Sequence, residues 1–388
     1  MLIRQCAKKT RNFLLRTGSN LMIPIAKKVG VQTRPIGYFP CVLEWSKSDK
    51  KRELEEYLEY EKPKEQNHSI SPELLNSDLS ECFFKNVSGV STRQFRLKLQ
   101  NARVYDQRAV VVHQSNFIFS ELTYEYATKS KHFSFWNKLQ IPRVSDNVGN
   151  IGVAHSCSAD NYAHWVMEVV PQLLQLKKDL DTGAIEKIYV RCEKSFQKEW
   201  IAIIGLNLSD LIPAKDGKHL QAQEMIVYSM PMRNCEFSQR QLDTFYALLS
   251  SNLRLQPKKK IFIGREGGNR SFSLINADLK SVVESCGYEY VLMEEHSVKE
   301  KLEYFASAEV IAGPHGGGFG GIVFCDPKTE FREIHSPLIP NLCYWRIASK
   351  RGMPYTAMYA AVVGGSGVPK GVQKYLQLTE SELRSFLR

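Results

Sequence analysis

The 388-residue chain is 43% hydrophobic and 24% charged, which excludes a disordered protein and leaves room for two ordinary domains, each with its own core. Its 52 Lys and Arg against 41 Asp and Glu give a formal net charge of +11, which favours phosphorylated ligands, nucleic acid or anionic lipid without choosing among them. The nine cysteines form no CxxC pair, which argues against a zinc site, a redox dithiol or a dense disulfide framework, and for reduced thiols in a cytosolic protein.

The first thirty residues, MLIRQCAKKTRNFLLRTGSNLMIPIAKKVG, mix Arg and Lys with Leu, Ile, Met and Phe and hold no apolar run long enough to span a membrane. They fit an amphipathic helix on an anionic membrane surface, an ordinary surface helix packed on its domain, or an acid-free presequence. Four N-x-S sequons, at Asn67, Asn86, Asn207 and Asn269, read as chance matches.

Residues 46–66, SKSDKKRELEEYLEYEKPKEQ, have a charged, helical look that ends at Pro63, and 67–82 read as polar loop. RQFRLKLQNARVY and AVVVHQSNFIF read as strands, and VGNIGVAHS (148–156) as a further short one. DNYAHWVMEVVPQLLQLKKDL follows as a helix, capped by Asp160 or Asn161, with apolar residues at Trp165, Val169, Leu173 and Leu176. Then come a strand (IEKIYVRC), a helix (SFQKEWIAIIGL), a strand (QAQEMIVYSMP) and a long amphipathic helix (SQRQLDTFYALLSSNLRL). QPKKK (256–260) reads as a seam, after which the alternation restarts and runs to a last helix capped at Thr379.

Alternating strands and helices predict an α/β protein with largely parallel sheets. The expected division is a basic segment with a charged helix (1–66), a first α/β domain (67–255), a second, nucleotide-binding α/β domain (256–365) and a C-terminal helix (366–388).

The densest signal is GPHGGGFGG at 313–321, six glycines and one histidine. Gly316, Gly318 and Gly321 satisfy G-x-G-x-x-G after a strand, with Glu333 as a later acidic residue, which read literally is a dinucleotide fingerprint. That fingerprint belongs on the first strand–helix turn of its sheet, and here at least two strand–helix units precede it. The physical content survives: Gly316, Gly317 and Gly318 let a ligand touch the backbone, and the N–H groups opening the next helix favour a phosphate. Within this loop His315 is expected to contact the ligand, although a lone histidine more often fixes its own loop.

Arg265 ends the strand KIFIGR, at the carboxyl edge where open α/β sheets bind ligands, and Arg270 follows in REGGNRS. Two guanidiniums beside a glycine turn suit a diphosphate. In the first domain, His164 and Glu168 are four residues apart on one helix face, near Asp160. A histidine oriented by a carboxylate is a general-base arrangement, but spacing alone fits a purely structural hydrogen bond better. A third or fourth zinc ligand is not evident.

NYAHWVMEVVPQLL resembles the N-Y-x-H-W-x-x-E-x-x-P-x-L-L signature of glycosyltransferase family 61. FIGRE, NADLKSVVESCGYEYVLMEEHSVKEKLEYFASAEVIAGPHGGGFGGIVFCDP and REIHS are similar to that family's donor-binding half, and the resemblance spans roughly residues 100–340. It implies a GT-B architecture, two Rossmann-like domains facing across a cleft. It also implies inverting transfer of a hexosyl or pentosyl group from a nucleotide sugar, a UDP-sugar by expectation, with no required metal or other cofactor. Bacterial members often serve capsular or surface-polysaccharide biosynthesis, whereas eukaryotic members act in the secretory pathway behind a signal anchor. The chain departs from the pattern where Gly317 replaces Ala and where Gly320-Gly321 replaces Thr/Ala-Asn, which removes a polar contact to the donor.

On that basis His164 is assigned as the base that takes the acceptor hydroxyl's proton, oriented by Glu168, with Glu168 or Asp160 acting directly as the alternative. Arg265, Arg270, His315 and the loop N–H groups are assigned to the departing diphosphate, and Glu333 to the ribose or to a local pair. The expected partners are a nucleotide-sugar donor and a glycan or other hydroxyl acceptor. The expected location is the cytoplasm, peripheral at the inner membrane face through the basic N-terminus. The competing readings are an NAD(P)-dependent oxidoreductase and a non-catalytic phosphate-binding module. Nucleic acid is disfavoured, because Lys and Arg are spread along the chain without an aromatic-basic motif.

Overall fold

The computed structural model describes residues 35, 37–39, 42–46, 54–67, 73–74, 88–122, 134–135, 140–233, 236–250, 258–266, 272–275, 277–336, 341–363 and 375–388. The basic N-terminal segment and Arg270 lie outside them. The chain divides into two compact units, one of residues 1–62 and 93–230, the other of residues 63–92 and 231–388.

The first unit is built on one mixed sheet. Its strands include β1 (Leu54–Glu61), β2 (Gln94–Gln100), β3 (Arg103–Tyr105), β4 (Val110–Val112), β5 (Phe117–Phe119) and β6 (Asp146–Val153). After β6 comes a helical run, α1, made of Tyr162–His164, a π-helical turn over Trp165–Val169 and Val170–Asp181. It leads to β7 (Lys187–Val190), α2 (Ser195–Ile204), β8 (Leu211–Pro213) and β9 (His219–Tyr228). β9, β6, β7 and β8 lie side by side and parallel, and the hairpin strands β2 and β3 pair antiparallel with the outer edge of β9. The parallel part thus starts at β6, winds one way to β7 and β8, and returns to the other side of β6 with β9. The topological switch lies between β6 and β9, and the carboxyl ends of these strands are where such a sheet receives ligands. Leu97, Leu99, Val104, Val111, Ile151, Val153, Met225 and Val227 fill one face, each contributing about 1.5–3 kcal/mol by burial.

The helix expected within 46–66 is, over Leu54–Glu61, a strand paired with β2. Its glutamates meet the basic residues of the neighbouring strand: Glu56 lies 2.6 Å from Arg96, and Glu59 lies 2.8 Å from Arg93 just before β2. The Tyr57 ring packs on Phe95. Partners more than thirty residues away decide the conformation, so local charge pattern misleads here.

The second unit carries a parallel sheet of β10 (Lys259–Ile263), β12 (Glu289–Val291), β13 (Ala308–Pro314), β14 (Glu330–His335) and β15 (Tyr355–Tyr359), in the order β12-β10-β13-β14-β15. β11 (Phe272–Leu274) joins a small sheet with β16 (Ala361–Val363) and β17 (Tyr375–Leu378). The helices are α3 (Gln239–Ser250), α4 (Leu279–Ser285), α5 (Val298–Ser307), α6 (Cys343–Arg351) and α7 (Glu380–Leu387). A 3-10 helix, Gly317–Phe324, follows β13. The order of the parallel strands is 2-1-3-4-5, a doubly wound arrangement whose switch point lies between the first and third strands, β10 and β13.

Three expected boundaries move. The seam lies at 230/231, not 256, so α3 belongs to the second unit. Its Phe245 packs edge-on against Phe324 of the 3-10 helix and against Phe237, which explains the assignment. Residues 63–92, expected to divide at 66/67 between the charged segment and the first domain, also belong to the second unit. Glu73–Leu74 extends the parallel sheet beside β15, and the ends of this excursion are pinned where Lys64 and Ser91 exchange hydrogen bonds. The C-terminal helix is not separate either: Leu383, Phe386 and Leu387 are buried in the second unit's core. Its expected cap is present, with Thr379 Oγ1 accepting from the Glu382 amide.

Among the described residues, no helix is long and apolar enough to cross a membrane. Cys157, Cys192, Cys286, Cys325 and Cys343 form no disulfide.

Candidate active site

Each unit places one histidine–glutamate couple just past the carboxyl end of its switch-point strand. In the first unit, β6 ends at Val153 and the chain runs through His155 and Ser156 into α1. Asn161, not Asp160, caps that helix, its Oδ1 accepting from the Ala163 amide at 2.9 Å. Pro171, at the start of the last segment of α1, has no N–H to give the preceding turn, and the backbone answers with the π turn in which Val170 N–H reaches back to Trp165 O.

His164 Nδ1 lies 2.7 Å from Glu168 Oε1. Glu168 is buried, and its Oε2 accepts a 2.5 Å hydrogen bond from Ser156 Oγ. Ser156 Oγ in turn accepts from the Ser158 amide at 3.1 Å. The order is hydroxyl, carboxylate, imidazole. Ser156 therefore does not sit on the imidazole as an activated nucleophile would. With Nδ1 committed to Glu168, the chemistry of His164 falls to Nε2. Burial lowers the proton affinity of His164, but the hydrogen bond and charge of Glu168 outweigh it and leave it above the ordinary histidine value.

A second histidine braces this arrangement. His155 is buried, its Nε2 lies 3.0 Å from Tyr228 O at the end of β9, and burial pushes it down to about 4. Gln172 holds His155 at both backbone groups and also donates to the Glu168 carbonyl at 2.7 Å. The strand ends and α1 are thus fastened together directly under the couple.

In the second unit, Arg265 follows β10 and His315 follows β13, so the two flank the switch point as the strand pattern anticipated. Arg265 Nη1 donates to the His315 carbonyl. His315 Nδ1 lies 2.5 Å from Glu333 Oε1 on β14, and Glu333 Oε2 accepts from Tyr355 Oη on β15 at 2.7 Å. His335 Nε2 is 2.8 Å from the same Tyr355 hydroxyl and 3.4 Å from Glu333 Oε2. Tyr344 Oη donates to the Gly316 carbonyl at 2.9 Å, and its ring lies against His315. Burial pushes the Glu333 carboxyl up, but His335 and His315 together overcome it and bring it down to about 2. Burial and the Glu333 charge hold the Tyr355 hydroxyl well above its usual value.

His315, Glu333 and His335 bring three ligand-type atoms within 4.8 Å of one another. The 2.5 Å between His315 Nδ1 and Glu333 Oε1 is a charge-assisted hydrogen-bond distance. Two donors on one tetrahedral ion with bonds near 2.1 Å stand about 3.4 Å apart, a wider spacing than this pair has here.

The glycines of the loop have distinct tasks. A Cβ on Gly318 would press on Ile263 Cγ2 at 2.9 Å, and one on Gly321 would overlap the Phe305 ring. Gly313, at φ +151, lies where a Cβ would stand 2.5 Å from the Ile263 carbonyl. These glycines bring the strand and the 3-10 helix close to β10 and α5.

Asp160 and Glu333 are each held by neighbouring side chains. Asp160 is paired with Arg191, Oδ1 to Nε at 2.9 Å. Glu333 is fully buried, with one oxygen on His315 and the other on Tyr355, the local pairing that is one of its two expected roles. Ser156, Tyr355, His335 and Tyr344 were not singled out in the sequence. The position of Ser156 at the end of a predicted strand was the available signal for it. For Tyr355 there was none, because strand register alone brings it to Glu333.

No curated protein shows significant similarity to the chain. The family model described as Glycosyltransferase 61 matches residues 162–331, a span that contains His164, Glu168, Arg265, Arg270, His315 and the glycine loop. Over residues 162–331 the chain is thus similar to glycosyltransferase family 61.

Proposed function

We propose that the protein is an inverting, metal-independent glycosyltransferase that moves a sugar from a nucleotide-sugar donor, a UDP-sugar first of all, to a hydroxyl acceptor. The second unit binds the donor and the first supplies the base, the division of labour of a GT-B enzyme. The observation that carries this reading is the His164–Glu168 couple, with Nδ1 fixed at 2.7 Å by a buried carboxylate and the proton affinity raised by it. His164 Nε2 takes the proton of the acceptor hydroxyl as its oxygen attacks the anomeric carbon. The bond from that carbon to the diphosphate breaks on the opposite face. The departing charge is met by Arg265, His315 and the N–H groups that open the 3-10 helix. Arg270, in the same stretch of sequence, is assigned to that charge as well.

The +11 net charge supports work at an anionic membrane surface on surface-polysaccharide acceptors, and the thiols support a cytoplasmic setting. An NAD(P)-dependent oxidoreductase is disfavoured by topology: the glycine loop follows β13, which two other strands of the doubly wound set, β10 and β12, precede in the chain, whereas a dinucleotide fingerprint follows the first. Calorimetric titration with UDP and with NADH separates the two. Binding of UDP alone supports the transferase, and binding of NADH alone overturns it.

A further inference from the structure

We propose that Ser156 is a positioning residue for the base, holding Glu168 so that His164 keeps one tautomer and presents Nε2 to the acceptor. The inference rests on the transferase reading for its consequence in catalysis, but not for its geometry. Ser156 is buried, so its hydroxyl has few alternative partners in solvent. It donates to Glu168 Oε2 at 2.5 Å and accepts from the Ser158 amide at 3.1 Å, which orients the hydroxyl hydrogen toward the carboxylate. Glu168 then has one oxygen for the serine and the other for His164 Nδ1. A carboxylate tied at one oxygen can swing neither toward solvent nor away from the ring, and the imidazole follows it.

The second unit repeats the device with different residues. There Tyr355 Oη ties one oxygen of Glu333 at 2.7 Å while the other oxygen meets His315 Nδ1. In both units a hydroxyl on the far oxygen of a buried glutamate fixes a histidine at the carboxyl edge of a parallel sheet. The two have different scaffolds: Ser156 precedes α1, whereas Tyr355 sits on a strand beside that of Glu333.

The serine also sets how strongly Glu168 acts on His164. A hydrogen bond donated to a carboxylate stabilises its negative charge. Without it, more of that charge is left for the His164 ring to neutralise, and the ring holds its own proton more tightly. The other titratable groups nearby are His155, held neutral by burial, and the Asp160–Arg191 ion pair before α1 and after β7. Neither side chain meets the Ser156 hydroxyl, whose hydrogen bonds go to Glu168 and the Ser158 amide.

The test is the titration and tautomer of His164, followed by NMR of ring-labelled histidine in the full chain, for the unmodified protein, Ser156→Ala and Ser156→Thr. Removal of the hydroxyl is expected to move the His164 midpoint upward by about half a pH unit or more, with the threonine variant close to the unmodified protein. In parallel, kcat for transfer should fall about tenfold in Ser156→Ala with donor KM unchanged, and the acid limb of the kcat profile should move to higher pH. An unchanged His164 titration and tautomer in a folded Ser156→Ala overturns the inference whether or not the protein transfers sugar. A shifted titration in a protein that turns over no nucleotide sugar upholds the positioning role and overturns the transferase reading instead.

Discussion

A Cβ on Gly316 would stand 2.5 Å from Nη1 of Arg265. The absence of a side chain at 316 is what lets the guanidinium reach the His315 carbonyl, so the glycine loop accommodates a cation of the protein before it accommodates any ligand. Arg265→Ala should therefore weaken UDP binding at least about tenfold, the cost of losing a charge-assisted contact of roughly 1.5–3 kcal/mol. Gly316→Ala should weaken it too, by displacing the same side chain. Isothermal titration of both variants checks this; unchanged affinity in Arg265→Ala would move the diphosphate elsewhere.

His164→Ala should cut transfer by about a hundredfold or more while UDP affinity stays the same. The pH dependence follows from the direction of its shift. A base acts in its neutral form, and Glu168 holds the His164 proton beyond the ordinary value near 6.5. Transfer should thus be low in mildly acidic buffer and rise through a midpoint above about 6.5, and Glu168→Gln should bring that midpoint down. The kcat profile of the two proteins is the readout.

Glu333 makes a prediction about stability. Its folded carboxyl titrates near 2, below the ordinary range of an unfolded glutamate. A depressed carboxyl contributes stability that is complete above the unfolded value and is lost as pH falls through the folded one. That contribution should disappear between about pH 4.5 and 2. Glu333→Gln should be less stable than the unmodified protein at neutral pH, by about 1–3 kcal/mol, and should lose less on acidification. Urea denaturation at several pH values compares the two; parallel curves would contradict the role given to Glu333.

Gly321→Ala should destabilise the second unit by about 1–3 kcal/mol, because the added methyl overlaps the Phe305 ring of α5. Phe305→Leu in the same chain should recover part of that loss. Thermal unfolding of the single and double variants reads the coupling.

The sequence carried the strand–helix alternation of both units, the cap at Thr379, the His164–Glu168 spacing and the place of Arg265 at a strand end. All of these depend on local pattern or on the chain order of elements. What it did not carry depends on pairing at a distance. β1 looks helical until Glu56 and Glu59 meet Arg96 and Arg93. Residues 63–92 look like a loop of the first domain until Glu73–Leu74 joins β15. Gly321, which departs from the family pattern at a polar position, is explained by Phe305, sixteen residues earlier in the chain and adjacent only in the fold. Glu333 was legible as an acidic residue near the loop, but not as a buried one, because Tyr355 reaches it from the neighbouring strand.

The most direct test of the account is nucleoside diphosphate release from a panel of UDP- and GDP-sugars with hydroxyl acceptors, measured for the unmodified protein, His164→Ala and Arg265→Ala. The account predicts release from at least one UDP-sugar, abolished in His164→Ala with UDP binding retained, and reduced in Arg265→Ala with UDP binding weakened. Release from none of the donors, or release undiminished by His164→Ala, would contradict it.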